Sequence, residues 1–133
     1  MPDRSRSCSY IIQGLSIQVG LTFLTAAIGK YLNMVNMKDF FISSGYSVSF
    51  LYFIMTIESV FGLLLLFNLK FYPKILSLFL LFSVMAGAIV THTRNGDPLS
   101  DSAAAIVLGL KIILVSVIYL LNKKYLLKKA VTL

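Results

Sequence analysis

Charge is scarce in this chain. Only 13% of its 133 residues are Asp, Glu, Lys or Arg, about half the share in an ordinary globular domain, while 58% are apolar. With a mean hydropathy of +0.87, these figures exclude a soluble globule. Cysteine is scarcer still. Cys8 stands alone, so the chain forms no internal disulfide and has no CxxC pair, which excludes a dithiol redox enzyme acting by itself. It lacks a lipoprotein-type flank and reads as an idle thiol rather than an acylation site. The single histidine, His92, excludes bis-histidine haem ligation within the chain and leaves only a haem shared with another subunit. With no thiol nearby and scattered carboxylates, it makes no metal site, and no metal ligands are assigned. No nucleophile–base pair stands out either, so no catalytic residue is assigned.

Acidic residues number five against twelve basic ones, a net charge of +7. The basic residues lie at the edges of apolar blocks and form no stripe with interleaved aromatics. Nucleic acid is therefore excluded as a partner, and the charge is read as orienting helices and meeting lipid headgroups. There is no internal repeat and no pair of Pro- or Gly-broken helices, which ranks a transporter below the other readings.

What the chain does have is apolar sequence in four blocks, at about residues 11–32, 48–67, 75–91 and 103–121. Each is about 17–22 residues long, enough for a helix rising 1.5 Å per residue to cross a ~30 Å hydrocarbon layer. None alternates in the manner of a barrel strand, so the blocks are helices. The expected fold is all-α: one transmembrane domain over residues 1–133, an antiparallel four-helix bundle with lipid as its surroundings. Arg4 and Arg6 before the first block mimic a signal peptide, but its length and Gln13 and Gln18 favour a retained helix.

By the positive-inside rule both termini face the cytoplasm. Arg4, Arg6, Lys70, Lys74, Lys123, Lys124, Lys128 and Lys129 fall on one side; Lys38 and Arg94, with Lys30 at the edge, are offset by Asp39, Asp97 and Asp101 on the other. The tail, 122–133, is expected to extend the last helix along the headgroups. In the long loop 33–47, residues 36–42 are expected to form a short interfacial helix. Asn95-Gly96-Asp97-Pro98 is strong turn chemistry.

Small and polar residues at helical spacing predict the inward faces. On the first helix these are Gln18, Thr22, Thr25 and Gly29; on the second, Met55, Glu58 and Gly62. The third offers Ser83 and Gly87, and the fourth Ala105, Gly109, Ile112 and Ser116. Glu58, the only Glu, lies about ten residues into its helix and so ~15 Å deep. It must be paired or stay neutral. Thr22 and Gln18 are placed to supply hydrogen bonds. Lys111 is at similar height but points away from its helix's small-residue stripe; Lys30 is nearer the surface and would have to reach down. The lysine partner stays open at this point. So does the role of Glu58, either a polar pin fixing helix register or a proton relay or ligand contact.

Gly29-Lys30, then Phe41 and Gly45-Tyr46, then Ile57-Glu58 with Gly62-Leu63-Leu64-Leu65, then Ala86-Gly87-Ala88 leading to Thr91-His92 and Gly96-Asp97, resemble the DoxX-like family of small four-helix membrane proteins. The resemblance covers roughly residues 21–110. It implies a bacterial inner-membrane protein, since the family's name comes from subunits associated with quinol oxidase and thiosulfate:quinone oxidoreductase systems. The first expectation is thus a small subunit or accessory partner of a membrane oxidoreductase, with quinone as the implied cofactor. Its polar site would comprise Glu58, Lys30, His92, Lys111, Gln18 and Thr22, with Arg94 and Asp97 in the adjoining loop. The alternative is a non-catalytic scaffold or assembly factor docking another membrane protein through Phe50, Tyr52, Phe53, Phe79 and Phe82. Self-association stays open.

Overall fold

The computed structural model describes the backbone of residues 4–67 and 70–131 and the side chains of residues 7–67, 70 and 72–124. Among these there are five helices and no strand: α1 (Arg4–Leu32), α2 (Met34–Ser43), α3 (Val48–Leu66), α4 (Phe71–Asn95) and α5 (Leu99–Val131). Four of them contain segments long and apolar enough to cross a membrane: Ser7–Leu32, Val48–Leu66, Tyr72–Asn95 and Leu99–Lys124. The short helix expected at 36–42 is α2. The tail continues α5 as expected, although its side chains beyond Lys124 lie outside the described residues, as do those of Arg4 and Arg6.

The long helices form a ring. α1 packs on α3, α3 on α4, α4 on α5 and α5 back on α1, while α2 lies against α3 and α1. Neighbours run antiparallel: Gln13, Gly20 and Lys30 of α1 meet Leu66, Gly62 and Glu58 of α3, one number rising as the other falls. The core is Val19 and Phe23 of α1, Leu65 of α3, Leu78, Leu81 and Met85 of α4, and Leu108, Ile112 and Val115 of α5.

Two of the expected inward faces are corrected. On α1, Gln18, Thr22 and Thr25 are exposed, and the buried row is Ile12, Ser16, Val19, Gly20, Phe23 and Ala27. On α4, Ser83 and Gly87 are exposed, while Lys74, Ser77, Leu78, Leu81, Met85 and Thr91 are buried. Hydroxyls do not need the bundle interior, because each can donate to a carbonyl of its own helix. Thr22 donates to the Gln18 carbonyl at 2.8 Å, Thr25 to Thr22 at 2.8 Å, and Ser83 to Phe79 at 3.0 Å. The faces expected on α3 and α5 hold: Glu58, Gly62, Gly109 and Ile112 are buried, and Ala105 and Ser116 half-buried.

Chain reversals are set by local chemistry. Ser47 caps α3 by accepting from the Phe50 amide at 3.2 Å. α4 ends at Gly96, whose φ of 74° is the left-handed conformation that closes a helix; its amide donates to Thr93 and that of Asp97 to His92.

Candidate functional site

Glu58 has no exposed surface, and both of its oxygens accept from Lys30 Nζ at 2.8 Å. The antiparallel pairing of α1 with α3 explains how a lysine near the end of α1 reaches an acid about 15 Å along α3. Every Cα–Cβ bond leans toward the N-terminus of its own helix. Lys30 therefore leans into the bundle and Glu58 leans back toward the end where α3 begins. Because the helices run in opposite directions, the two side chains converge. The acid is sealed, whereas the lysine side chain keeps 22% of its surface exposed. Of the two outcomes the sequence left open, paired or neutral, the structure has Glu58 against a lysine, and that lysine is Lys30.

The remaining expected site residues do not join this pair. Gln18 and Thr22 lie on the exposed face of α1, the Thr22 hydroxyl donating to the Gln18 backbone carbonyl. Lys111 is half-buried on α5 and makes no hydrogen bond or ion pair with another described residue. His92 forms a second pair of its own: the αL turn at Gly96 swings Asp97 back so that its Oδ2 lies 2.7 Å from His92 Nδ1. Phe40 of α2 packs against the imidazole, ring centroids 5.2 Å apart. Arg94 donates to the Ser44 carbonyl and lies over the Tyr46 ring at 5.2 Å. Asn95 donates to Ser44 Oγ at 2.7 Å, and the Tyr46 and Thr91 hydroxyls share a bond of 3.1 Å. These contacts tie the end of α2 to the end of α4. Among the described residues the polar site is two separate pairs, not one cluster.

A third polar group went unnoticed in the sequence. Lys74, read there as a loop charge, lies in the first turn of α4 and is 2% exposed. Its Nζ donates to Gln13 Oε1 at 2.9 Å and lies 5.4 Å from the Tyr119 ring centroid. Gln13 Nε2 donates onward to the Leu66 carbonyl at 3.3 Å, at the carbonyl-rich C-terminal end of α3 that favours a cation. All four long helices meet here. The available signal was Gln13, a polar side chain on the same face of α1 as Ser16 and Gly20.

Among the described residues no group of three or more His, Cys, Asp or Glu side chains could hold a metal ion. The model of the DoxX-like family matches residues 14–117, most of the chain, including Lys30, Glu58 and His92. The chain belongs to the DoxX-like family. A search of curated proteins finds no match. This DoxX-like protein is thus an integral membrane protein with the Lys30–Glu58 ion pair between its first and third helices, and its outer apolar faces suit contact with lipid.

Proposed function

We propose that this DoxX-like protein is a small accessory subunit of a membrane oxidoreductase system, facing quinone through Lys30. The observation that carries this reading is the asymmetry of the buried pair. Glu58 is sealed and accepts from one ammonium with both oxygens, while the lysine side chain that carries it stays partly exposed. Lysine has three donors. An ammonium so held is oriented by the acid and can present a donor to the carbonyl of a lipid-soluble ring without uncovering the carboxylate. The quinone, when bound, supplies the redox chemistry; the chain's own residues bind and orient it. On this reading the protein sits in the bacterial inner membrane beside an oxidoreductase, a setting drawn from its resemblance to DoxX-like proteins, and the distribution of its basic residues supports cytoplasmic termini.

The test is the pair of neutral variants Lys30→Gln and Glu58→Gln, produced in native membranes. The expected outcome is loss of quinone-linked electron transfer by the associated oxidoreductase while the protein still co-purifies with it. Unchanged turnover in both variants overturns the proposal.

A second reading is a scaffold or assembly factor. It is favoured by the fact that every buried side-chain nitrogen and oxygen among the described residues has a partner. On this reading the ion pair pins helices, and the same variants release the associated protein instead of slowing it.

A further inference from the structure

Lys30 is taken by Glu58 and Lys74 by Gln13, but Lys111 of α5 makes no hydrogen bond or ion pair with another described residue. Every buried side-chain nitrogen among the described residues has a hydrogen-bond partner, so the Lys111 ammonium, having none, reaches the molecular surface. It does so at the middle of its span. Lys111 lies twelve residues from Leu99 and thirteen from Lys124, the ends of that span, so about 18–20 Å of helix separates it from either. Its four-carbon stem covers roughly one turn, about 5.4 Å, and cannot carry the ammonium to the headgroups. An ammonium facing hydrocarbon at this depth is costly until it meets an acceptor.

The face around Lys111 has the pattern of a helix–helix seam. Ala104, Val107, Lys111, Leu114 and Ile118 are spaced alternately three and four apart and fall within roughly 80° of arc, at about 100° per residue. Ala104, Val107 and Leu114 are exposed and Ile118 is half-buried. The seam lies on the flank of α5 away from Ile113, Ser116 and Leu120, which line the cleft with α4. Lipid phosphates are out of its reach, since they begin about 15 Å from the midplane. A second copy of this sequence brings no acid to the right depth. Asp3, Asp39 and Asp97 fall outside the four spans, Asp101 stands at the very start of one, and Glu58 is closed on Lys30. The group that answers a mid-membrane ammonium is a carboxylate carried there on another helix.

We propose that this seam of α5 docks a transmembrane helix of a different protein, one that carries an Asp or Glu at mid-span to pair with Lys111. The seam is separate from the Lys30–Glu58 pair, and its test contains neither quinone nor oxidoreductase, so the two readings fail independently. The full chain is reconstituted in phosphatidylcholine vesicles with a synthetic transmembrane helix of Leu and Ala bearing one central Asp. Association is read by energy transfer between dyes on the two, and otherwise identical helices with a central Asn or Leu are the controls. The Asp helix is expected to bind at least about tenfold more tightly than either. Lys111→Met is expected to abolish that preference and Lys111→Arg to keep it. Lys111→Glu is expected to reverse it, in favour of a helix with a central Lys. With Cys8 replaced by Ser, Val107→Cys and Leu114→Cys are expected to cross-link to a cysteine beside the central Asp, and Ile113→Cys is not. Equal binding of the Asp and Asn helices, a preference that survives Lys111→Met, or cross-linking at Ile113→Cys instead of the seam overturns the proposal. Val107→Cys chains that join to one another rather than to the Asp helix assign the seam to a second copy and overturn it as well.

Discussion

Lys30 and Glu58 stand in an environment where a lone charge is expensive, so removing one partner should cost more than removing both. Truncating one member of a buried ion pair strands the other, typically at about 3 kcal/mol or more, whereas apolar replacement of the pair can be close to neutral. Lys30→Met is therefore expected to destabilise the bundle by about 3 kcal/mol, and Lys30→Met/Glu58→Met to recover most of that loss. Reversible unfolding in mixed micelles measures both; a double variant as unstable as the single one contradicts the argument. The Arg94 tie is different, because its side chain is exposed. Arg94→Ala should speed hydrogen exchange at Gly45 and Tyr46 while lowering global stability by no more than about 1 kcal/mol. That loop is held by few bonds, and the spanning helices do not depend on it.

At the scale of the helix, the decisive contact is the crossing of α1 and α3. A methyl group on Gly20 would lie 2.5 Å from the Gly62 carbonyl oxygen, and one on Gly62 would lie 3.1 Å from that of Gly20. By contrast, a methyl group on Gly29 meets nothing within 4 Å. Gly20→Ala is expected to cost about 1–3 kcal/mol through forced separation of the helices. Gly29→Ala, which adds helix propensity in open space, should be neutral or stabilising by up to about 1 kcal/mol. The same unfolding assay separates them, and equal effects would refute the close approach. Small residues identify a close contact only when the face is already known. Gly62 was legible beside Glu58, but Gly20 was not chosen on α1, where hydroxyls drew the expected stripe to the wrong side. Thr22, Thr25 and Ser83 satisfy themselves along their own helices and carry no information about which way a face turns.

For the whole molecule the testable property is its orientation. With Cys8 replaced by Ser, single cysteines at Asn36 and Lys124 should label oppositely with a membrane-impermeant thiol reagent in intact cells. Asn36→Cys is expected to react and Lys124→Cys to be protected until the membrane is opened. The reverse pattern would place both termini outside.

Four helices long enough to span a membrane, the short helix α2, the turn at Gly96 and the need for Glu58 to be paired or neutral were legible in the sequence alone. Each follows from chain-local quantities: the length of an apolar run, the glycine that tolerates positive φ, and the cost of an acid in hydrocarbon. Which lysine answers Glu58, which face of α1 and α4 turns inward, and the burial of Lys74 against Gln13 were decided only by tertiary structure. Those depend on the vertical register of antiparallel neighbours. A shift of one turn moves a partner by 5.4 Å, further than the reach that separates Lys30 from a free cation.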